Sequence, residues 1–381
     1  MPLLSLRLSL LLGLAAAAVL AVCANVVQGS PPRPSAALAA TSATTRALPA
    51  RPVRVKPTRS SRLTKPRKVK PKPKQTAVTP EPPVVPNDPL WAASWSLAKV
   101  GAPEAWRSTT GSPDVIVAVL DTGIDAQHPD LRGAVLPGWD AVNEDADASD
   151  DHGHGTAVAG IIAARSNNGE GVTGACWRCA LMPVKVIAAD GTGSASDIAE
   201  GIVWAADHGA TVLNLSFVLS GYDGAVAGAI DYARAKGALV VAAAGNAGNG
   251  DPTFPASHPG VIGVTATDAG DGRYPWASYG SWVAVAAPGC SQSTFPGGGY
   301  GEFCGTSSAA AFASGIVALV RSAAGASEVT QKLLDSAVGI GDGVASGRID
   351  AAGALSSGRT PAAAAPEGNR PDRPEPRPDR L

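Results

Sequence analysis

The chain has 381 residues, enough for two or three domains, but its composition favours one main globular unit with polar flanks. The formal net charge of −1 hides an uneven distribution, because residues 51–74 carry 11 Lys or Arg and no acid. This basic run is most simply a solvated spacer, with nucleic acid or an anionic envelope polymer as a less favoured partner. We therefore expect no nucleic-acid function.

The N-terminal segment has the features of a secretory signal peptide. Arg7 precedes an apolar run at residues 8–22 that is too short for a comfortable membrane span, and Val22-Cys23-Ala24 fits a small-x-small cleavage site. We expect residues 1–24 to be removed and the mature protein to be secreted. A lipid anchor at Cys23 is a second, less favoured interpretation, because bulky Val22 precedes it. No later apolar run is long enough to span, so no C-terminal anchor is expected.

Two further segments are predicted to be disordered. Residues 25–86 are rich in Pro, Ala, Ser, Thr, Lys and Arg and nearly free of aromatic side chains, so they bury too little surface to offset their ordering entropy. Residues 357–381 are similarly rich in Pro and charged side chains. The folded domain is expected to cover residues 87–356, beginning with an arm that contains three tryptophans.

Strand and helix patterns alternate along this domain. Strands are predicted at 115–120, 181–187, 211–216 and 238–244, and helices at 154–165, 197–207, 225–236 and 308–320. This alternation predicts an α/β fold with a single doubly wound, mostly parallel sheet and helices on both faces. Ligands of such sheets bind beyond the carboxyl ends of the strands, where Asp121 and Asn246 fall.

A polar residue stands at the start or end of four apolar stretches. Ser307, in Gly-Thr-Ser, opens the last long helix, where the helix dipole favours a developing negative charge. Alone, it would be read as an N-cap. Upstream, Asp121 ends VIVAVLD, His154 begins the helix in HGHGTAVAG, and Asn246 ends VVAAAGN.

These four motifs, in this order, resemble those of the subtilisin-like serine peptidases of the subtilase (S8) type, which are secreted by bacteria. The resemblance implies a secreted serine endopeptidase that works through an acyl-enzyme. Ser307 would attack, His154 would move the proton, Asp121 would orient the imidazole, and Asn246 with the Ser307 N–H would hold the oxyanion.

Three nearby residues compete for these roles. His152 is the rival base, but the order His-Gly-Thr selects His154. Asp125 and Asp130 compete with Asp121, which alone ends the strand and precedes Thr-Gly.

The resemblance also places substrate binding on two segments, against which the substrate would lie as an added strand. The segments are Ser194, Ala195 and Ser196, and Ser216, Phe217 and Val218. Ordinary loop and strand-end packing is the alternative. Because Val218 stands where the family has glycine, we expect small or slender apolar side chains to be preferred over Phe or Tyr before the scissile bond. The alternative is that Val218 points into the core.

No catalytic cofactor is expected, but the resemblance implies structural calcium. Asp88, Asp130 and Asn168 match the family's calcium-binding positions. A second acidic cluster is either another calcium site or a solvated loop, and it consists of Glu144, Asp145, Asp147, Asp150 and Asp151.

Four cysteines remain after the expected cleavage. Cys176 and Cys179 could form a redox pair or half a metal site, but a secreted chain favours a local disulfide. Cys290 and Cys304 would then pair and close the loop before the serine, although three connectivities remain formally open.

A second class of function is a catalytically inactive peptidase fold that serves as a binding module at the cell envelope, with the basic linker as its binding segment. Such a protein should lack a catalytic group, and this sequence has all of them. The expected partners are protein or peptide substrates, and the expected state is a monomer.

Overall fold

The computed structural model of the protein describes residues 82–341 and 343–356. The predicted signal peptide, the linker up to residue 81 and the predicted C-terminal tail lie outside these residues. Within the described part, no helix combines the length and apolar character needed to cross a membrane.

The N-terminal arm packs on the core through short helices and aromatic rings. Its elements are a 3-10 turn at Trp91–Ala93, α1 at Trp95–Lys99 and α2 at Ala102–Ala105. The Trp106 ring lies 5.8 Å from Trp91 and 4.5 Å from Trp177, measured between centroids. Val84 already donates a backbone hydrogen bond to Pro103 at 3.0 Å, a few residues before the expected boundary at residue 87.

Seven strands form one sheet in which every pairing is parallel. They are β1 Ile116–Asp121, β2 Trp139–Asp140, β3 Ala180–Lys185, β4 Val212–Leu215, β5 Leu239–Ala243, β6 Ile262–Thr267 and β7 Val285–Pro288. Their spatial order is β2-β3-β1-β4-β5-β6-β7. The strands are apolar and buried along nearly their whole length, as expected of a sheet covered on both faces.

Helices cover both faces of this sheet, which confirms the predicted architecture. They are α3 His154–Ala163, α4 Ala195–Asp207, α5 Gly224–Ala235, α6 Thr306–Arg321, α7 Ala326–Asp335 and α8 Ala351–Leu355. Side chains alternate along β1, so Val117 and Val119 join the core beneath α3 and α6, while Ala118 and Leu120 join the core beneath α4 and α5.

A two-stranded antiparallel hairpin leads into α6. It is formed by β8 Cys290–Phe295 and β9 Gly299–Cys304, with Cys290 opposite Cys304 in the register. These two cysteines form a disulfide, and Cys176 forms a second one with Cys179. Both expected pairings are therefore present.

All eight strands and helices predicted from the sequence are present, with ends shifted by at most two residues. The sequence analysis did not identify β2, β6, β7, the hairpin, α7 or α8. Two of these, β2 and β7, have only two and four residues, which is too short for a hydrophobic period to stand out.

Candidate active site

Three neighbouring strands end at one edge of the sheet and deliver polar residues there. Asp121 is the last residue of β1, Ser216 follows β4, and Asn246 lies three residues beyond β5. Because β1, β4 and β5 are adjacent and parallel, their carboxyl ends meet. Residues distant in the sequence are thereby brought to one place.

Asp121 and His154 form a direct pair at this edge. The Nδ1 atom of His154, the first residue of α3, lies 2.7 Å from Oδ1 of Asp121. The same oxygen accepts the Thr122 backbone N–H at 2.8 Å, and both ring and carboxyl are buried. A side chain at position 155 would place Cβ 2.1 Å from the Gly123 carbonyl oxygen, so glycine is required there for α3 to approach β1 this closely.

The pairing sets the tautomer and the pKa of the imidazole. Since a carboxylate only accepts, Nδ1 carries the proton, and Nε2 is the acceptor on the other side of the ring. Burial acts to lower the pKa of His154, but the charge and hydrogen bond of Asp121, together with the charge of Asp150, outweigh burial and raise it. The ring is thus stabilised in its protonated state.

Ser307 is on α6 and lies at the same edge of the sheet. It is the second residue of that helix, and its side chain, like that of His154, lines a cavity at the sheet edge. Its Oγ lies 2.9 Å from the carbonyl oxygen of Ser216, and the Ser216 hydroxyl in turn donates to the Ser307 carbonyl at 3.2 Å. The end of β4 therefore fixes the start of α6.

Asn246 presents an amide N–H beside the serine. Its Oδ1 accepts the Thr306 backbone N–H at 3.0 Å and the Thr306 hydroxyl at 2.9 Å. A backbone N–H can only donate, so the side-chain oxygen faces Thr306 and the amide nitrogen points elsewhere. A methyl group built on Gly305 would contact both Asn246 Nδ2 and Ser307 N at 3.6 Å. Both nitrogens therefore lie close to Gly305.

Part of the predicted substrate site lines the cavity and part does not. Ser216, Phe217 and Val218 line it, as do Leu219 and Gly245. Ser194, Ala195 and Ser196 do not line this cavity, and their expected role along an extended substrate stays a prediction. The Ser194 hydroxyl instead accepts the Asp197 N–H at 3.1 Å and caps α4, while the cavity is lined by two glycines of the preceding loop, Gly191 and Gly193.

The three rival residues lie elsewhere. Asp125 accepts N–H groups from Gln127 and Gly297, and Asp130 belongs to the cluster around Asp88. The Nδ1 atom of His152 is buried and has no hydrogen-bond partner among the described residues. The pair formed by Asp121 and His154 is thus the one that adjoins the serine.

The residues expected to bind calcium converge in the structure. The Asn168 backbone N–H donates to Asp88 at 3.0 Å, and the Asn168 side-chain amide donates to Asp130 at 3.0 Å. Both carboxyl groups are buried, and neither forms an ion pair with a described Lys, Arg or His. Burial and the charge of Asp130 raise the pKa of the neighbouring Tyr300, which hydrogen-bonds to Asp130.

The second acidic cluster is not gathered around one point. Among the residues that the structure describes, no group of three or more His, Cys, Asp or Glu is arranged to hold a metal ion. Asp147 accepts from Ser149 within its own loop, and Asp151 pairs with the buried Lys185 at 2.7 Å. These contacts favour the interpretation of this segment as a loop.

Several site residues were missed from the sequence. Leu219, Gly191 and Gly193 line the cavity without any chemical signature of their own. Thr122 and Asp150 hold the Asp121 and His154 segments together, as their hydrogen bonds show. In the sequence, Asp150 is one of five neighbouring acids, and the charge pattern alone does not reveal which carboxylate points into the protein.

A parallel α/β sheet with Asp, His and Ser side chains at one edge has the arrangement expected of a serine hydrolase. Comparison with known proteins gives the family. The family model described as the subtilase family matches residues 112–355. The chain belongs to the subtilase family and is a serine endopeptidase.

Individual relatives agree with this assignment. Thermitase of Thermoactinomyces vulgaris is 39% identical over 272 residues, which cover 70% of this chain and 97% of thermitase. Subtilisin Savinase of Lederbergia lenta is 42% identical over 229 residues, or 60% of this chain and 83% of Savinase. The chain spans only 55% of the thermophilic serine proteinase of Bacillus sp. strain AK1, at 43% identity.

A solved structure is also similar. The proteases from Pseudoalteromonas arctica PAMC 21717 match with a TM-score of 0.67 and 33% identity, over 71% of this chain and 98% of theirs.

Proposed function

We propose that Asp121, His154 and Ser307 form the catalytic triad with which this endopeptidase hydrolyses peptide bonds, and that Asn246 and the Ser307 N–H form the oxyanion hole. The observation that carries the proposal is the 2.7 Å contact between His154 Nδ1 and Asp121, since it directs the unprotonated Nε2 to the side of the ring away from the carboxylate. Ser307 and His154 line one cavity.

Each residue then has a defined role. His154 takes the hydroxyl proton through Nε2 while Ser307 Oγ attacks the scissile carbonyl carbon, and Asp121 stabilises the imidazolium. The carbonyl oxygen becomes an oxyanion, which the N–H groups of Asn246 Nδ2 and Ser307 N, both close to Gly305, would stabilise. His154 next protonates the leaving amine, and an acyl-enzyme forms. Water, deprotonated by the same imidazole, then releases the acid and regenerates the Ser307 hydroxyl.

An active-site label tests this assignment directly. A fluorophosphonate reacts with a serine whose proton is removed by a neighbouring base, so we expect one equivalent of label on Ser307, found by mass spectrometry of a digest. Labelling should slow as the pH falls, because His154 becomes protonated. A label carried by another residue at full stoichiometry would contradict the proposal.

For specificity, we propose that Val218 narrows the pocket that receives the side chain before the scissile bond. Val218 lines the cavity, and a methyl group built on Gly245 across from it would contact Val218 Cγ1 at 3.4 Å. The valine side chain therefore projects toward the pocket wall at Gly245. Its branched side chain takes space that a glycine would leave to the substrate.

Replacing Val218 should change side-chain preference. One methylene in an apolar pocket is worth about 1–3 kcal/mol, or roughly 10- to 200-fold in kcat/KM. We expect Val218→Gly to raise kcat/KM for cleavage after Phe and Tyr by at least about tenfold, with cleavage after Ala changed little. Profiling both enzymes on one peptide library measures this. Efficient cutting after Phe and Tyr by the wild type, unchanged in the variant, would show that Val218 does not restrict the pocket.

We also propose that Asp88, Asp130 and Asn168 hold a structural calcium ion. The supporting observation is electrostatic, because two buried carboxylates lie together without a described cationic partner, and buried charges are normally paired or bound to metal. Asn168 directs its amide nitrogen to Asp130 and accepts the Glu170 backbone N–H on Oδ1 at 2.9 Å, so its oxygen would bind the ion only by exchanging this hydrogen bond for the metal. The ion would supply charge compensation and a link between the N-terminal arm and the loop after α3.

Calcium should therefore stabilise the fold. A ligand present at about 100 times its Kd adds about 2.7 kcal/mol to the free energy of unfolding, or roughly 5–10 °C in Tm for a domain of this size. We expect this rise for the wild type and for Asp147→Asn, and its loss in Asp130→Asn. Calorimetry with calcium or with a chelator measures it. A Tm that is the same under both conditions in the wild type would contradict the calcium site.

For the regions outside the described residues, we propose a secreted protein whose signal peptide is residues 1–24, whose linker precedes the peptidase domain of residues 87–356, and whose tail is residues 357–381. The two disulfides of the domain support an oxidising destination. No observation favours the alternative of an inactive binding module, since every proposed catalytic group is present.

A further inference from the structure

Asp150 lies four residues before His154, and its carboxylate accepts five hydrogen bonds. Oδ1 accepts from the Thr122 hydroxyl at 2.8 Å, the His152 N–H at 3.0 Å and the Gly153 N–H at 2.7 Å, and Oδ2 accepts from the Thr156 N–H at 2.9 Å and the Thr156 hydroxyl at 2.5 Å. Every donor lies within two residues of His154, where α3 begins, or directly follows Asp121. The carboxylate thus lies between the two segments that carry the proposed base and its partner.

One role of this carboxylate is to cap α3. The N-cap position is Gly153, with φ of 108°, so the helix has no capping side chain of its own. The first N–H groups of a helix lack partners within the helix, and its N-terminus favours negative charge. Asp150, which lies outside the helix, supplies both an acceptor for the Thr156 N–H and a negative charge near the helix N-terminus. His154, as the first helical residue, is held by this cap.

A second role runs through Thr122. Its hydroxyl donates to Asp150 and accepts the Gly155 N–H at 2.9 Å, while its own backbone N–H donates to Asp121 at 2.8 Å. A continuous set of hydrogen bonds therefore joins Asp150 to Asp121 and to the residue after His154. This set fixes the separation of β1 and α3 at the point where Asp121 meets the imidazole.

We propose that Asp150 is a positioning residue for the reaction, which sets the geometry of the Asp121–His154 pair through Thr122 and the start of α3. The inference rests on the proposed triad. It goes beyond a cap that merely stabilises the helix, because the same carboxylate binds residues next to both partners of the pair, Thr122 beside Asp121 and Gly153 beside His154. Its negative charge also lies near the ring and favours the imidazolium that forms during the reaction. The charged groups that act on His154 are Asp121 and Asp150.

The test uses two variants that remove different parts of the Asp150 interactions. Asp150→Asn keeps one acceptor oxygen and removes the charge, and we expect kcat to fall about tenfold. Asp150→Ala removes every contact, and we expect a fall of about 100-fold, the size of effect that a small misplacement of reacting groups produces. KM should stay within about twofold, since Asp150 does not line the cavity. The acid limb of the pH–kcat profile should move to lower pH in Asp150→Asn, because one cause of the raised pKa of His154 is lost.

The matched control is Asp147→Asn, which removes an exposed carboxylate from the same loop and should keep kcat within about twofold. Active-site titration with a fluorophosphonate corrects each rate for the folded fraction. If the Asp150 variants do not fold, Thr122→Val and Thr122→Ser replace them, and the valine variant should lose kcat while the serine variant recovers most of it. Unchanged kcat and pH profile in Asp150→Asn and Asp150→Ala, or in Thr122→Val, would overturn the inference. Activity retained in Ser307→Ala would instead overturn the triad itself.

Discussion

Ser307→Ala should lose about 10⁶-fold in kcat on an unfolded protein substrate, while the fold is unchanged. The variant lacks Ser307 Oγ, the atom that forms the covalent bond to the substrate in our proposal. The loss should stop short of complete inactivity, because Asn246 and the backbone N–H still face the oxyanion position, and such groups alone give about 10³- to 10⁴-fold over water. Initial rates of peptide release by both proteins, at concentrations matched by absorbance, measure the effect.

Ser308→Ala is the matched control for this substitution. Ser308 is the next residue of α6, is completely buried, and its hydroxyl has no hydrogen-bond partner among the described residues. The same atom is removed one position away, so a general disturbance of the helix would appear in both variants. We expect Ser308→Ala to keep wild-type kcat. A Ser307→Ala protein that releases peptides at the wild-type rate would exclude Ser307 as the nucleophile.

Asp121→Asn should lower kcat by about 10⁴-fold, the second largest effect that we expect. The amide has the shape of the carboxylate but not its charge, so the imidazolium formed at His154 loses its stabilising partner. Oδ1 of Asp121 also accepts the Thr122 N–H. In the variant, the amide oxygen must occupy the Oδ1 position, because the amide NH2 group cannot accept this hydrogen bond. KM should change little, because Asp121 does not line the cavity.

The pH profile gives an independent readout of the same variant. In the wild type, His154 works as a base only when neutral, so kcat falls as the pH drops through its raised pKa. In Asp121→Asn, burial still lowers the pKa of His154 while the charge of Asp121, one cause that raises it, is gone, so the acid limb should move to lower pH. Asp125→Asn, four residues along, is the control and should keep both kcat and pH profile. Similar losses in both variants would mean that the effect is not specific to Asp121.

The local contexts of Asp121, His154 and Ser307 were visible in the sequence because each occurs next to a strong periodic or apolar pattern. A strand that ends in Asp, a helix that begins with His and a helix that begins with Gly-Thr-Ser are local features, decided by neighbours within a few residues. Their order along the chain then led to the family. The same reasoning found the two disulfides, since nearby cysteines in an oxidising compartment have few other partners.

Other features depended on contacts between distant residues. The Ser194 hydroxyl caps α4, and two glycines of the preceding loop line the cavity, which the sequence pattern did not indicate. The direction of Val218 was undecided because one residue of register separates a pocket-facing side chain from a core-facing one. A methyl group built on Gly245 would lie 3.4 Å from Val218 Cγ1, and this distance supports our proposal that Val218 faces the pocket.

The sequence by itself determined the fold class, the family and the chemical types at the site, because these depend on local periodicity and on which reactive side chains are present. Only the tertiary structure decided which of five neighbouring acids holds the histidine helix. Asp150 is distinguished from Asp147 by the donors that surround it, and those donors come from α3 and from the end of β1. A carboxylate's role follows from the N–H and O–H groups that the fold brings to it, and that arrangement exists only once β1 and α3 have packed together.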